Sequence, residues 1–211
     1  MGGGSAEDEP RDRVKFHALS SSEKIELCIG AVRVQSIISP NIRVRHPDLF
    51  QVGEGSIVDD YCYFSTSVRI GRLSHVANNC SVGGGRDRVF EIGDFCSLSA
   101  GVRVWCSSDD FVNDLVTLVP PEIEEPIKEH LITGDVVLGH YTAVGSNSVI
   151  MPNNRIPEGT VIGALSYVPP GFAFEPWSVY AGVPLRYVRP RNRQSVLRQV
   201  AKLTTAMEHF R

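Results

Sequence analysis

Apolar residues recur every six positions through most of this chain: Val52, Val58, Phe64, Ile70, Val76 and Val82, then Ile92, Leu98 and Val104, then Leu138, Val144, Ile150, Ile156, Ile162 and Val168. A helical stripe repeats near 3.6 residues and a half-buried strand at 2, so a sustained period of six belongs to neither. It describes a short flat face closed by a corner and stacked repeatedly, which is the pattern of a parallel β-helix.

Two residues before each ladder position a small side chain is favoured: Ser56, Cys62, Ser74, Cys80, Cys96, Thr142, Ser148, Asn154, Thr160 and Ser166. Alternation across a strand turns both sets inward, so bulky aliphatics fill the middle and small residues sit by the corners. Cys62, Cys80 and Cys96 are then core filler, and no CxxC or histidine-rich spacing points to zinc. Three faces of six make a coil of eighteen residues, and the ladder stacks as five coils. The column Val52, Ile70, Ile92 and Leu138 is followed each time by glycine, at Gly53, Gly71, Gly93 and Gly139. Such a corner needs either positive φ or close approach of adjacent coils.

The ladder breaks twice, with four extra residues after Val82 and twenty-eight after Val104. Val104 stacks on Val82, so both excursions leave from one corner. Insertions in a solenoid gather on the functional face, and long loops in compact domains commonly carry function. The active site is expected at that corner.

The 211 residues suit one folded unit with decorated ends. Residues 1–15 are polar and acidic and read as disordered, residues 16–51 as a helical or irregular cap with a helix over Ser21–Ile37, and residues 52–188 as the β-helix with its loop at 105–137. Residues 189–211 form a basic tail and a helix over Gln194–Phe210. A formal charge of −3 gives no general attraction to nucleic acid or to an anionic membrane. No apolar run is long enough for a signal peptide or a membrane span. Five cysteines, an odd number, argue for reduced thiols and a cytoplasmic protein.

With the ladder, the glycine corner and the tail Val179-Tyr-Ala-Gly-Val-Pro in place, the chain resembles the hexapeptide-repeat acyltransferases, whose fold is a left-handed parallel β-helix. It looks most like the galactoside and maltose acetyltransferase branch and the amino-sugar acyltransferases of surface-polysaccharide pathways. The resemblance implies a mainly β homotrimer with active sites between neighbouring subunits and acetyl-CoA as acyl donor. Gly145, Ser146, Gly163 and Ala164 match positions where that family lets the pantetheine arm approach the backbone. Each glycine, taken alone, is equally well a turn former. Arg186, Arg189, Arg191 and Arg193 suit the phosphates of CoA, since guanidinium pairs with phosphate in a bidentate manner; a solvated basic patch is the alternative. Trp177 or Tyr180 either stacks near the adenine or caps the last coil.

Acyl transfer to a hydroxyl calls for a general base, most often histidine. Where galactoside and maltose acetyltransferases carry theirs, at the start of the long loop, this chain has Ser108, Asp109 and Asp110. The asparagine that those enzymes use in the preceding coil has its counterpart in Asn79. Asp109 or Asp110 can be the base only if its environment raises it from about 3.9. An amine acceptor asks less, because a carboxylate need only hold the amino group and accept its proton. N-acylation of an amino sugar, free or nucleotide-linked, is therefore favoured over O-acetylation of a hydroxyl. His75 is the leading histidine, ahead of His130 and His140. In the loop, Phe111 and Leu115 can anchor a next subunit, while Asp110, Glu122 and Glu124 can contact an acceptor. No metal is expected, because no histidines stack in one column, and a non-catalytic β-helix scaffold is the remaining alternative.

Overall fold

The computed structural model describes residues 35–120, 122–123 and 126–209. The segment expected to be disordered, the helix expected over Ser21–Ile37 as far as Val34, and Glu124 lie outside the described residues. The end of that expected helix is instead a strand, Ile37–Ile38, paired in parallel with Ile57–Val58.

The rungs pair in parallel and follow the ladder. Val52, Ile70, Ile92, Leu138 and Ile156 stand in register on a first face. On a second face Ile38, Val58, Val76, Leu98, Val144, Ile162 and Tyr180 align. A third carries Val44, Phe64, Val82, Val104, Ile150 and Val168. Val104 does lie beside Val82. The coil number is about seven, not five, because the period slips at both ends. A 3-10 turn at Pro47–Leu49 stretches the step from Val44 to Val52, and aromatic Phe174 and Tyr180 continue the ladder beyond Val168. Phe172, Phe174 and Tyr180 meet edge to face with centroids 4.8–5.7 Å apart and close that end of the core.

The ladder residues and all ten small residues beside them are buried. The small residues do more than fill space. Ser56 and Ser74 donate from Oγ to the carbonyls of Gly71 and Gly93, at 2.7 and 2.9 Å, and Cys96 donates from Sγ to Gly139 O. Each such bond ties one coil to the corner of the next and satisfies a buried carbonyl that would otherwise be costly. Burial pushes the Cys106 thiol up to about 12 and the Cys96 thiol upward as well, so these cysteines are packing residues.

Close approach is the reason for the glycine corner. A Cβ on Gly71 would lie 2.4 Å from the Gly93 carbonyl carbon, one on Gly53 2.6 Å from that of Gly71, and one on Gly139 2.7 Å from the Glu158 nitrogen. Positive φ falls two residues later in each coil, at Gly55, Leu73, Phe95, Tyr141, Gly159 and Trp177.

The C-terminal helix spans Arg193–His209 and keeps most of its surface in solvent, including Leu197 and Leu203. Among the described residues no helix is long and apolar enough to cross a membrane.

Candidate active site

Beyond Val104 the third face gives way to the insertion, whose two ends form a neck. Ser107–Ser108 pairs antiparallel with Ile132–Thr133, Cys106 N donates to Gly83 O, and Gly134 N donates to Cys106 O. Glycines let this neck sit tight on the coils around it. A Cβ on Gly83 would meet the Trp105 ring at 2.9 Å, one on Gly84 the Cys106 Cβ at 2.6 Å, and one on Gly134 the Asn153 Cβ at 2.5 Å. Gly83 and Gly84 lead into the shorter excursion, so the two breaks in the ladder pack on each other.

Beside the neck lies an open cleft of about 480 Å³ lined by Trp105, Ser107, Ser108, Asp109, Phe111 and Met151. Three carboxylates of this segment have separate tasks. Asp109 borders the cleft, and its Oδ1 accepts from Lys128 Nζ at 2.6 Å across the neck. Asp110 caps the next turn, accepting from Val112 N at 2.8 Å and from Asn113 Nδ2 at 2.6 Å. The Asn113 side chain, helped by the Val112 amide, holds the Asp110 carboxyl below its ordinary value. Asp114 accepts from the backbone of His130 and of Glu129 and clasps the far side of the loop. His130 is part of that clasp, its Nδ1 lying 3.1 Å from Asp114 Oδ1. Phe111, 73 % exposed, stands with Val112, Leu115 and Leu118 on the outside of the insertion.

The other expected residues sit elsewhere on the coil. His75 is on the second face between Ile57 and Ser97, with Nε2 2.8 Å from Asp59 Oδ2. Asn79 occupies the corner between the second and third faces at φ +59°, and its carbonyl accepts from Arg103 Nη1 at 2.6 Å. Gly145 and Ser146 lie two coils further along that same corner, and Gly163 and Ala164 three. There a Cβ on Gly145 would be 2.3 Å from Ala164 N and one on Gly163 2.9 Å from Ala181 Cβ, while Ala181 pairs with Arg186. These residues therefore form one continuous track. Neither glycine has positive φ, so inter-coil closeness, not a turn, accounts for both. The amides of Ser146 and Ala164 stay outside the inter-coil ladder among the described residues.

The basic tail divides. Arg186 and Arg189 are exposed on the strand Arg186–Pro190, antiparallel to Ser178–Ala181. Arg191 turns inward and donates from Nη1 to the carbonyls of Tyr141 and of Gly159, and burial lowers its pKa. Arg191 and Arg193 also lie over Trp177, at 5.9 and 5.4 Å from the ring centroid. Trp177 covers Gly159 and reaches Tyr141, which stacks on Phe95. His140 Nδ1 accepts from Asp94 N at this corner.

Sequence reasoning passed over Lys128, Trp105 and Met151. Only the acidic run opposite a lone lysine in the loop hinted at the first, and nothing in a linear pattern marks the other two as cleft lining.

No protein-family model matches the chain. Crystal structures of AntD, an N-acyltransferase from Bacillus cereus, superpose closely. A variant in complex with dTDP and coenzyme A is 31% identical with a TM-score of 0.72, over 81% of this chain and 89% of that one. Another, in complex with dTDP-4-amino-4,6-dideoxyglucose and coenzyme A, is 30% identical with a TM-score of 0.71, over 81% and 88%. The chain is also 26% identical over 152 residues to the dTDP-4-amino-4,6-dideoxy-D-glucose acyltransferase of Escherichia coli, spanning 70% of this chain and 74% of that protein. It is 28% identical over 143 residues to a chloramphenicol acetyltransferase of Agrobacterium fabrum, spanning 64% and 67%. With its six-residue ladder, its single inserted corner and these relatives, the chain belongs to the hexapeptide-repeat acyltransferases with a left-handed parallel β-helix, in the branch that includes the amino-sugar N-acyltransferases.

Proposed function

We propose that this protein is a CoA-dependent N-acyltransferase that acetylates the amino group of a nucleotide-linked amino sugar in glycan biosynthesis. The observation that carries this reading is the cleft beside the insertion, which is bordered by the carboxylate of Asp109 and by no histidine. In such a site the amine lone pair forms the C–N bond to the thioester carbonyl carbon. The C–S bond then breaks and the CoA thiolate leaves, and the proton lost from nitrogen passes through Asp109, directly or by way of water, to that thiolate. Asp110 keeps the cleft rim in shape through its turn. AntD, an N-acyltransferase that binds dTDP-4-amino-4,6-dideoxyglucose together with coenzyme A, gives the acceptor class its support.

Acetyl-CoA fits the track of Gly145, Ser146, Gly163 and Ala164, with Arg186 at its end and Arg189 on the same strand for the phosphates. That track runs along a different corner from Asp109, so one chain does not unite donor and acceptor sites. A homotrimer with sites between subunits resolves this. The second face supports such packing: its outward residues Ile57, Ser97, Ala143, Val161 and Val179 are uncharged, interrupted by His75 with its partner Asp59, whereas the first face carries Arg69, Glu91 and Arg155. His75 and Asn79 would then lie near the join, His75 oriented by Asp59. A cytoplasmic location follows from the use of acetyl-CoA.

The test is thiol release from acetyl-CoA with a panel of amino-sugar nucleotides, beside the same nucleotides bearing hydroxyl groups only. Release with amines supports the reading, and release with hydroxyl acceptors alone overturns it. Asp109→Asn is expected to lower kcat about 100-fold. His75→Ala tested alongside should cost less than about tenfold, and the reverse order would transfer the base role to His75.

A further inference from the structure

Lys128 lies on the returning limb of the insertion, and its ammonium sits 2.6 Å from Asp109 Oδ1. The two side chains are only 12 % and 29 % exposed, Lys128 being the more enclosed. A lysine drawn so far out of water needs a charged partner, and a pair this sheltered is screened much less than one on the open surface. Two neighbouring carboxylates of the insertion are committed elsewhere. Asp110 holds Val112 and Asn113, and Asp114 holds the Glu129 and His130 amides with the His130 ring. The remaining cleft residues Trp105, Ser107, Ser108, Phe111 and Met151 bring no charge.

We propose that Lys128 is the positioning residue of the acceptor cleft, fixing the Asp109 carboxylate at its rim and selecting an acceptor amine that arrives without its proton. The second part rests on the acyltransferase reading above. An acceptor ammonium docking on Asp109 meets a second ammonium already there, and like charges disfavour the protonated form. The neutral amine feels no such repulsion and is the nucleophile that the reaction needs. One lysine therefore supplies both geometry and charge selection, and an anionic or hydroxyl group gains nothing comparable.

The experiment compares the full-length wild type with Lys128→Met and Lys128→Arg. In the first arm, without substrates, hydrogen exchange is followed at the neck amides of residues 107–108 and 132–133. Lys128→Met is expected to raise their exchange about tenfold, Lys128→Arg to leave it near wild type, and an added Asp109→Asn to make the Met change silent. In the second arm, kcat is measured against pH with an amino-sugar nucleotide. The acid limb should move upward by about one pH unit in Lys128→Met and stay in place in Lys128→Arg. Neck exchange unchanged in Lys128→Met overturns the positioning role. A Lys128→Met profile that only scales down, with its limb unmoved, overturns the charge selection. A wild type inactive on every amine overturns the charge selection together with the acyltransferase reading, while the exchange arm still decides the positioning role.

Discussion

The glycine corner and the insertion corner are both places where coils crowd together, yet one is held by repetition and the other by individual contacts. At the first, the same few atoms recur over three successive turns, from Gly53 to Cys96. Glycine admits the next coil, a residue at positive φ follows two positions later, and a buried Ser or Cys bonds the carbonyl above. An aromatic and ionic ladder of Phe95, Tyr141 and Trp177 with Arg72 and Asp94 covers it. At the insertion corner nothing recurs. Its neck is one pair of short strands, Asp109, Asp110 and Asp114 have three different partners, and Phe111, Val112, Leu115 and Leu118 face outward. A corner that repeats can be stable without help, because every coil reinforces its neighbours. A corner that interrupts the repeat is free to carry a cleft, and this one does.

The strongest way to break the contrast is to damage the repeat. Gly71→Val puts a Cβ 2.4 Å from the Gly93 backbone, which has no side chain to yield. A loss of about 3 kcal/mol in denaturant unfolding is expected; a loss below about 1 kcal/mol would mean that the coils can separate and that glycine is not required.

The tail tests whether structure and ligand binding are divided between adjacent arginines. Arg191→Ala should cost about 2 kcal/mol of stability, because it frees two carbonyls and removes a partly buried charge, with little change in KM for acetyl-CoA. Arg189→Ala should leave the melting temperature alone and raise that KM about tenfold, equivalent to about 1.4 kcal/mol. Exchanged outcomes would move the phosphate role to Arg191.

The smallest effect concerns pH. Partial burial pushes the Asp94 carboxyl up, but hydrogen bonds from the Arg72 guanidinium and amide outweigh it and hold it below its ordinary 3.8. A depressed carboxyl contributes stability that is present above the unfolded-state value and lost as pH falls through the folded-state value. Asp94→Asn should therefore be less stable than wild type by about 1 kcal/mol at pH 7. That gap should hold down to about pH 4 and close below it. A gap that persists at pH 2 would assign the loss to packing instead of charge.

Much of this was legible in the chain itself. The ladder named its own register, and pairings such as Val82 with Val104 and Ile92 with Leu138 follow it across both interruptions. The cleft was legible as a place and less so as a set of residues. Asp109 was marked by its position after the third coil, and the cleft does border it. Lys128 was not marked, since it lies nineteen positions beyond its partner in an aperiodic loop. Arg191 and Arg189 looked alike in RYVRPRNR, and only the fold turned one inward. The end coils were missed because Phe174 and Tyr180 are aromatic and because the step from Val44 to Val52 is long.

By itself, then, the sequence determined a stacked three-faced coil, the corner from which it is interrupted, and the family to which such a coil belongs. A period of six does this because each rung's environment repeats, so the signal adds over many coils. Only the tertiary structure decided which carboxylate borders the cleft, which lysine holds it, and why the corner glycines are glycines. Those outcomes depend on single contacts between distant segments, where one ammonium at 2.6 Å or one Cβ too many at 2.4 Å settles the matter. No local periodicity encodes such a distance.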